Sequence, residues 1–285
     1  MSVEAWTAEL LDRGYCIIEP PLPDATISAL TADLDPIFAA TPMSKGHFYG
    51  YQTKRFSRLL TRSRHVEALV TQPDILAIAN AILGRSCDRI QLNVAQAIEI
   101  HPGEVRQFPH RDHDMWAGEK GAHEYLLNVI WPLDRFSEAN GATQLYPFSH
   151  GAAGIAKHEV GAPVIAECQP GSAICFLGST AHGAGANRTD RPRRAIVVGY
   201  SLGWLKPYEN LWLSYPPEVA RTFSPELAAL AGYVQHRPNL GNYDGQCPSI
   251  LLGDTVPDQV GAVDAMRPDQ AEMLAEFAKS ARCEP

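Results

Sequence analysis

The sequence lacks most of the features that would assign it to a membrane, a polynucleotide or an oxidising compartment. No apolar run approaches the roughly 20 residues needed to cross a bilayer. Basic runs are missing, and acids outnumber Lys and Arg by 32 to 24, for a formal net charge of −8. A chain with that balance is not expected to hold nucleic acid or an anionic membrane surface. The local departure is a cluster of arginines, Arg188, Arg191, Arg193 and Arg194. The 6 cysteines (16, 87, 168, 175, 247 and 283) are scattered, without a C-x-x-C pair. That argues against structural zinc and disulfides, and suits free thiols in a reducing cytoplasm. The opening MSVEAWTAELLDRGY has early acids and no apolar core of signal-peptide type, so a cytoplasmic location is expected. Internal repeats and low-complexity segments are also missing.

What is present is an ordinary globular composition, 45% hydrophobic over 285 residues. The first ninety residues read as helices. Ala5 to Asp12 carries Trp6, Leu10 and Leu11 on one face. Asp24 is placed to cap a helix bearing Ile27, Leu30, Leu34 and Phe38, and Asp74 to Leu83 repeats the pattern before Gly84. A short apolar run, Tyr15 to Ile18, lies between the first two. From Arg89 the period becomes two. Ile90, Leu92, Val94, Ile98 and Ile100 fall on one face, and Gln91, Asn93, Ala95, Ala97 and Glu99 on the other. Tyr125 to Trp131, Ala142 to Tyr146, Ala173 to Leu177 and Ala195 to Leu202 are also strand-like, separated by Pro-Gly and Asn-Gly turns. Strands without intervening helices predict an antiparallel sandwich or barrel. Pro225 to Leu230 and Pro268 to Ala281 predict helices in the tail. The expected organisation is one domain over 1–285: a helical region to about 88, a β core over about 89–205 and a mixed extension over about 206–285.

Two amides interrupt the apolar pattern. Gln96 stands where the inner face of its strand should be apolar, and Asn128 lies inside the run Tyr125 to Trp131. Either finds a core hydrogen bond or lines a polar cavity, since an unpaired buried amide costs roughly 1–3 kcal/mol. Between them lies QFPHRDHDMW, from Gln107 to Trp116. In an extended segment His110 and Asp112 point the same way, and Asp114 shares their parity, whereas Arg111 and His113 point the other way. An imidazole and a carboxylate side by side offer two adjacent metal positions. A second His completing the set, with the remaining positions open, is the donor pattern of non-haem Fe(II) oxygenases. A lone His-x-Asp triplet is common without a metal, so the case needs that further His and an anchor for a cosubstrate. His182 follows the strand-like Ala173 to Leu177, among Ala181, Gly183, Ala184 and Gly185, small residues that let a ligand approach. Arg193 shares parity with Ala195, Val197 and Gly199, which leaves room for it to reach inward, where a guanidinium can bind a carboxylate bidentately. Arg188 and Arg191 read as a solvated turn, and Arg194, of opposite parity, leans the same way.

On GYCIIE, LNVAQAIEIHPGEVRQFPHRDHDMW, LLNVIWPLDRFSEANGATQLYPFSH and HGAGANRTDRPRRAI, the chain resembles the phytanoyl-CoA dioxygenase family of Fe(II)/2-oxoglutarate oxygenases. It is similar above all to the branch that tailors natural products of the meroterpenoid kind. The resemblance spans most of Gly14 to Ser201. It implies a jelly roll, the double-stranded β-helix, with flanking helices. It implies iron on His110, Asp112 and His182, and Arg193 on the far carboxylate of 2-oxoglutarate. It places Gln96, Asn128 and Thr143 around the cosubstrate or substrate. YPFSH departs from the family's usual Pro-Gly-Ser-His at Phe148, and Ala184 stands where some relatives have a hydroxyl residue. Members that halogenate lack the carboxylate ligand, so Asp112 argues against halogenation.

The resemblance thus implies a dioxygenase using Fe(II), 2-oxoglutarate and O2. It would hydroxylate, desaturate or rearrange an unactivated C–H bond of an apolar small molecule, with release of succinate and CO2. Phe48, Tyr49, Tyr51, Trp116, Trp204, Trp212 and Tyr243 are candidate substrate-pocket residues, with core packing as the alternative for each. Lys54 or Arg55 is a candidate contact for cosubstrate or an acidic group. A lipid or acyl-CoA hydroxylase and a non-catalytic jelly-roll binding protein are the competing functions. The assembly is left open between a monomer and a homodimer.

Overall fold

Period-two patterning in the middle of the chain produces strands buried on both sides. The computed structural model describes residues 1–19, 22–157 and 159–282; Cys283, counted above among the thiols, lies outside them. The strands are β1 (Tyr15–Ile18), β2 (Thr53–Phe56), β3 (Ile90–Ile100), β4 (Leu126–Pro132), β5 (Thr143–Leu145), β6 (Val164–Ile165), β7 (Ala173–Leu177), β8 (His182–Ala184) and β9 (Arg193–Leu202). They form a six-stranded sheet in the order β1-β7-β4-β9-β3-β2 and a three-stranded sheet in the order β6-β5-β8. All the paired strands within these sheets are antiparallel. This is the expected jelly roll with flanking helices.

Alternate residues of the large sheet serve two cores. Leu127, Val129 and Trp131 of β4, and Ile196, Val198 and Tyr200 of β9, pack outward against Leu10, Leu34, Phe38, Ile78 and Ile82 of the helices Val3–Arg13, Asp24–Ala40 and Pro73–Leu83. Ile130, Ile174, Phe176 and Ala195 face inward and meet Leu145 and Ala166 from the side of the small sheet. Fully burying one such side chain contributes about 1.5–3 kcal/mol. No single helix among the described residues is long and apolar enough to cross a membrane.

Three local readings change. The first ninety residues are not only helical: they supply both edges of the large sheet, β1 and β2. β2 reads TKRF, too short and too polar to show a period of two. Asp24 is the first helical residue rather than the cap, which is Pro23 without a side-chain hydrogen bond; its carboxylate instead lies in the first turn, where the helix dipole favours it. The two faces of β3 exchange partway along. Leu92 pairs with Tyr200 and Val94 with Gly199, so Asn93 is an extra residue in a bulge. A bulge reverses the parity beyond it. Ile90, Leu92, Ala95 and Ala97 therefore face the helices, while Val94, Gln96, Ile98 and Ile100 line the interior cavity.

Arg194 is not a solvated turn residue either. Lys54, Glu99 and Arg194 are neighbours across β2, β3 and β9. The Glu99 carboxylate, 2% exposed, accepts from Arg194 Nε at 2.5 Å and His101 Nε2 at 2.6 Å, with Lys54 Nζ at 3.7 Å. Burial works to raise its pKa, but the hydrogen bonds from Arg194 and His101 outweigh burial and hold it below the ordinary value. A depressed folded-state pKa stabilises the protein above the unfolded-state value and loses that contribution as pH falls. Glu99→Gln is therefore expected to cost about 2–4 kcal/mol near neutral pH, since it leaves part-buried Arg194 with Asp35 as its remaining carboxylate and takes the carboxylate from His101 and Lys54. It should also flatten the loss of stability below about pH 4.5. Urea unfolding of both proteins across that range checks both effects.

Candidate metal centre

The site begins as a backbone arrangement. His110 N–H donates to His182 O at 3.0 Å, and His182 N–H donates to His110 O at 2.9 Å. This reciprocal pair, an isolated antiparallel bridge, sets two histidines from distant parts of the chain directly opposite each other. Gly183 permits the approach, because a Cβ there would stand 3.2 Å from Gln107 O. The chain is not extended through Asp112, as the parity argument assumed: after His110 it turns into a 3-10 helix, Asp112–Met115. The turn nevertheless brings Asp112 to the same side. Ligand atoms of His110, Asp112 and His182 all lie within 4.8 Å of one another. His110 Nε2 is 3.3 Å from Asp112 Oδ1, and His182 Nε2 is 3.5 Å from Asp112 Oδ2.

The protonation states suit a divalent metal. His110 Nδ1 donates to Phe108 O at 3.0 Å and His182 Nδ1 to Thr180 O at 3.1 Å. A carbonyl only accepts, so each Nδ1 carries the hydrogen and each Nε2 is the atom presented to the site. Burial pushes the His182 pKa down to about 4, which leaves it neutral. Burial works to raise Asp112, but the two histidines and the hydrogen bond from Asn128 outweigh it and hold the carboxyl at about 2. For His110, burial is outweighed by the hydrogen bond to Asp112, and its pKa is raised. Asn128 Nδ2 donates to Asp112 Oδ2 at 2.9 Å and so orients the carboxylate. Rings wall both histidines: Phe176 lies 4.4 Å from His182 and Phe48 lies 4.9 Å from His110, centroid to centroid. Two neutral-capable imidazoles, an ionised carboxylate and fixed tautomers form a donor set that fits Fe(II).

The triad opens into a cavity of about 120 Å³ between the sheets, which is also lined by Gln96, Asn128, Thr143 and Arg193. Arg193 is 3% exposed. Its Nη2 donates to Gly141 O, its guanidinium lies over Phe136 at 4.2 Å, and its Nε has no protein partner. Burial lowers its pKa to about 9, so it stays cationic near neutrality. Of Lys54 and Arg55, neighbours on β2 with opposite parity, only Arg55 enters the cavity, while Lys54 turns outward to Phe38 O and Glu99. Arg55 Nη1 donates to Gln96 Oε1 at 3.3 Å. His113 faces away and is fully buried, and Asp114 projects outward with a 63% exposed side chain.

The candidate pocket aromatics divide. Phe48 and Tyr49 line the cavity. Tyr51 instead packs on His47, and Trp116 donates from its indole to Lys206 O. Trp204 donates to Ser86 O and Trp212 to Gly232 O, while Tyr243 pairs with Gln246. These five are not among the lining residues, and the indole N–H groups are satisfied by backbone carbonyls. Tyr208 and Met115 line the cavity and were not singled out in the sequence. Tyr208 lies in an irregular segment and Met115 ends a single 3-10 turn, so neither shows a period that reports direction. Phe148, the departure in YPFSH, adopts a left-handed φ of 58°, a conformation that glycine takes without strain.

Comparison with known proteins now adds a family. The profile of the phytanoyl-CoA dioxygenase (PhyH) family matches residues 10–195. Dioxygenase trt7 of Aspergillus terreus is 32% identical over 190 residues, covering 64% of this chain and 65% of trt7. This chain therefore matches just under two thirds of that relative's length. Dioxygenase olcK of Penicillium canescens is 27% identical over 245 residues, 81% of each chain. Among solved structures, the non-heme alpha ketoglutarate dependent epimerase SnoN from nogalamycin biosynthesis superposes with a TM-score of 0.60 at 19% identity, covering 72% of this chain and 86% of SnoN. HygX from Streptomyces hygroscopicus, with nickel and 2-oxoglutarate bound, superposes at 0.57 with 11% identity, covering 72% and 89%.

Asn128→Ala removes the amide hydrogen bond that orients Asp112 without touching a donor atom. Loss of such an outer partner typically weakens metal affinity by about 10–100-fold. Titration of the apoprotein with Fe(II) or Ni(II) under anaerobic conditions should show a drop of that size.

Proposed function

Because the chain belongs to the phytanoyl-CoA dioxygenase family, we propose that it is an Fe(II)/2-oxoglutarate-dependent dioxygenase. It oxidises an unactivated C–H bond of a neutral, largely apolar small molecule of natural-product type. Hydroxylation is the basic outcome, with desaturation or rearrangement as variants of the same oxidation. The observation that carries this reading is the convergence of His110, Asp112 and His182 within 4.8 Å, at a cavity that also holds a buried arginine. Iron held there, with 2-oxoglutarate and O2, supplies the oxidising power, and succinate and CO2 are the coproducts.

The protein positions, orients and excludes water. His110, Asp112 and His182 would hold the metal. Arg193 grips the far carboxylate of 2-oxoglutarate through its fork, beside Thr143. Arg55, kept in place by Gln96, lies nearer the triad and offers a second cation to the dianion. Ile98, Ile130 and Val197 line the same cavity and keep it dry around the reacting groups. The lining cations are Arg55 and Arg193 alone among lysines and arginines. Both guanidiniums are taken up by 2-oxoglutarate, which leaves no lysine or arginine of the lining for the phosphates of an acyl-CoA. The five described cysteines are free, which suits the cytoplasm.

The decisive experiment is 2-oxoglutarate turnover with Fe(II) and O2, read as succinate. Asp112→Ala should abolish succinate while the circular dichroism spectrum stays unchanged; retained turnover would overturn the ligand assignment. Arg193→Ala should raise the 2-oxoglutarate requirement by about a hundredfold or more, as removal of one partner of a buried charge pair does. An unchanged requirement would mean that another cation holds the cosubstrate.

A further inference from the structure

The mouth of the cavity carries two hydroxyls for which the proposed metal chemistry has no use. Tyr49 and Tyr208 both line the cavity, and their phenolic oxygens meet at 2.5 Å. Each is held in place independently. Tyr208 N–H donates to Asn93 Oδ1 at 2.8 Å, at the bulge of β3. Tyr49 lies in a turn closed by Gly50 N–H to Gly46 O at 2.9 Å, and its ring carries the Arg55 guanidinium at 5.4 Å. Gln107 Nε2 fixes the same turn through Phe48 O at 3.0 Å.

Two phenols carry two hydrogens, and the bond between them uses one. The other is available to an acceptor. Three of the amide oxygens that line the cavity are already engaged. Gln107 Oε1 accepts from Ala184 N–H, and Gln96 is held between Arg55 and Ser57. Asn128 serves Asp112, and Asn93 Oδ1 serves Tyr208. The Nε atoms of Arg55 and Arg193 lack protein partners, but both belong to the cosubstrate's cations. Phe48 packs on Tyr49 at 5.5 Å between ring centroids, and Val94, Met115 and Leu126 add apolar walls to the same cavity.

We infer that the Tyr49–Tyr208 pair is the substrate-orienting contact, donating one hydrogen bond to a carbonyl or hydroxyl oxygen of a neutral, otherwise apolar substrate. This rests on the dioxygenase reading above and sharpens its substrate class. A molecule held only by apolar walls can slide and rotate. One fixed oxygen contact selects which C–H faces the triad. The pair stays a donor at working pH, because burial and then the bond to Tyr49 push the Tyr208 pKa up to about 12.

The test uses matched neutral probes with and without one ketone: camphor against camphane, menthone against menthane, and androstanone against androstane. Each is titrated anaerobically into the Fe(II)- and 2-oxoglutarate-loaded protein, with binding followed by calorimetry. At least one ketone should bind the wild type about tenfold more tightly than its hydrocarbon partner, near the upper end for one neutral hydrogen bond. In Y49F/Y208F, which keeps both rings and removes both hydroxyls, that preference should fall to about twofold or less. A wild type without ketone preference, or a preference that survives the double substitution, overturns the inference. A separate titration with 2-oxoglutarate alone reports on the metal site: a wild type that fails to bind it defeats the dioxygenase reading instead.

Discussion

The reciprocal backbone pair between His110 and His182 is the constraint on which the site depends. A metal needs its donors placed to within a few tenths of an ångström, and side chains on separate loops do not hold that tolerance. Here the two histidines are opposite residues of one antiparallel bridge, so their separation is fixed by sheet geometry rather than by side-chain choice. The rest follows from protecting that bridge. Gly183 lets the two backbones meet, and Thr180 O and Phe108 O lock the imidazoles. Behind the bridge, Arg111 ties itself to Ser179 O and Ser149 O, which joins the segment before Asp112 to the loop before His182.

A second constraint comes from the bulge at Asn93. Without the extra residue, a strict period of two would turn Gln96, Ile98 and Ile100 toward the helices and send Ala95 and Ala97 into the cavity. The bulge delivers Gln96 to Arg55 and Ile98 to the cavity. It also frees the backbone and side chain of Asn93 to receive the loop after β9, through Glu209 N–H and Tyr208 N–H. One irregular residue thus turns Gln96 into the cavity and supports the loop that carries Tyr208. Bulges next to active sites commonly re-aim side chains in this way.

These two features mark where sequence reading succeeds and where it stops. β4, β7 and β9 were legible because they are buried on both sides, and apolar runs of that length between Gly and Pro turns leave few alternatives. Arg193 was legible for the same reason: its neighbours of like parity, Ala195, Val197 and Gly199, leave space on the inner face. β2 was not legible, because an edge strand of four mostly polar residues has no pattern to detect. Parity argued the inner face for Gln96 correctly in outcome but by a register that the bulge replaces. The aromatics failed most often. Trp116, Trp204 and Trp212 use their indole N–H groups to bind loop carbonyls, and nothing in a list of large side chains separates that duty from lining a pocket. Tyr208 had no pattern at all, since its position depends on a loop that Asn93 receives.

The charge of the cavity gives the last step. Its lining holds two guanidiniums, Arg55 and Arg193, against a single carboxylate, Asp112. Such an excess of buried positive charge is unfavourable by itself, and each arginine pKa is lowered by burial accordingly. A divalent cation makes the excess larger, so metal and arginines together form a site that is incomplete without an anion. A dianion with carboxylates at both ends satisfies the two extremes of that field at once, one beside the triad and one at Arg193. On the proposed reading both guanidiniums serve one dianion, and the substrate is left to the apolar walls and the neutral donors of the lining.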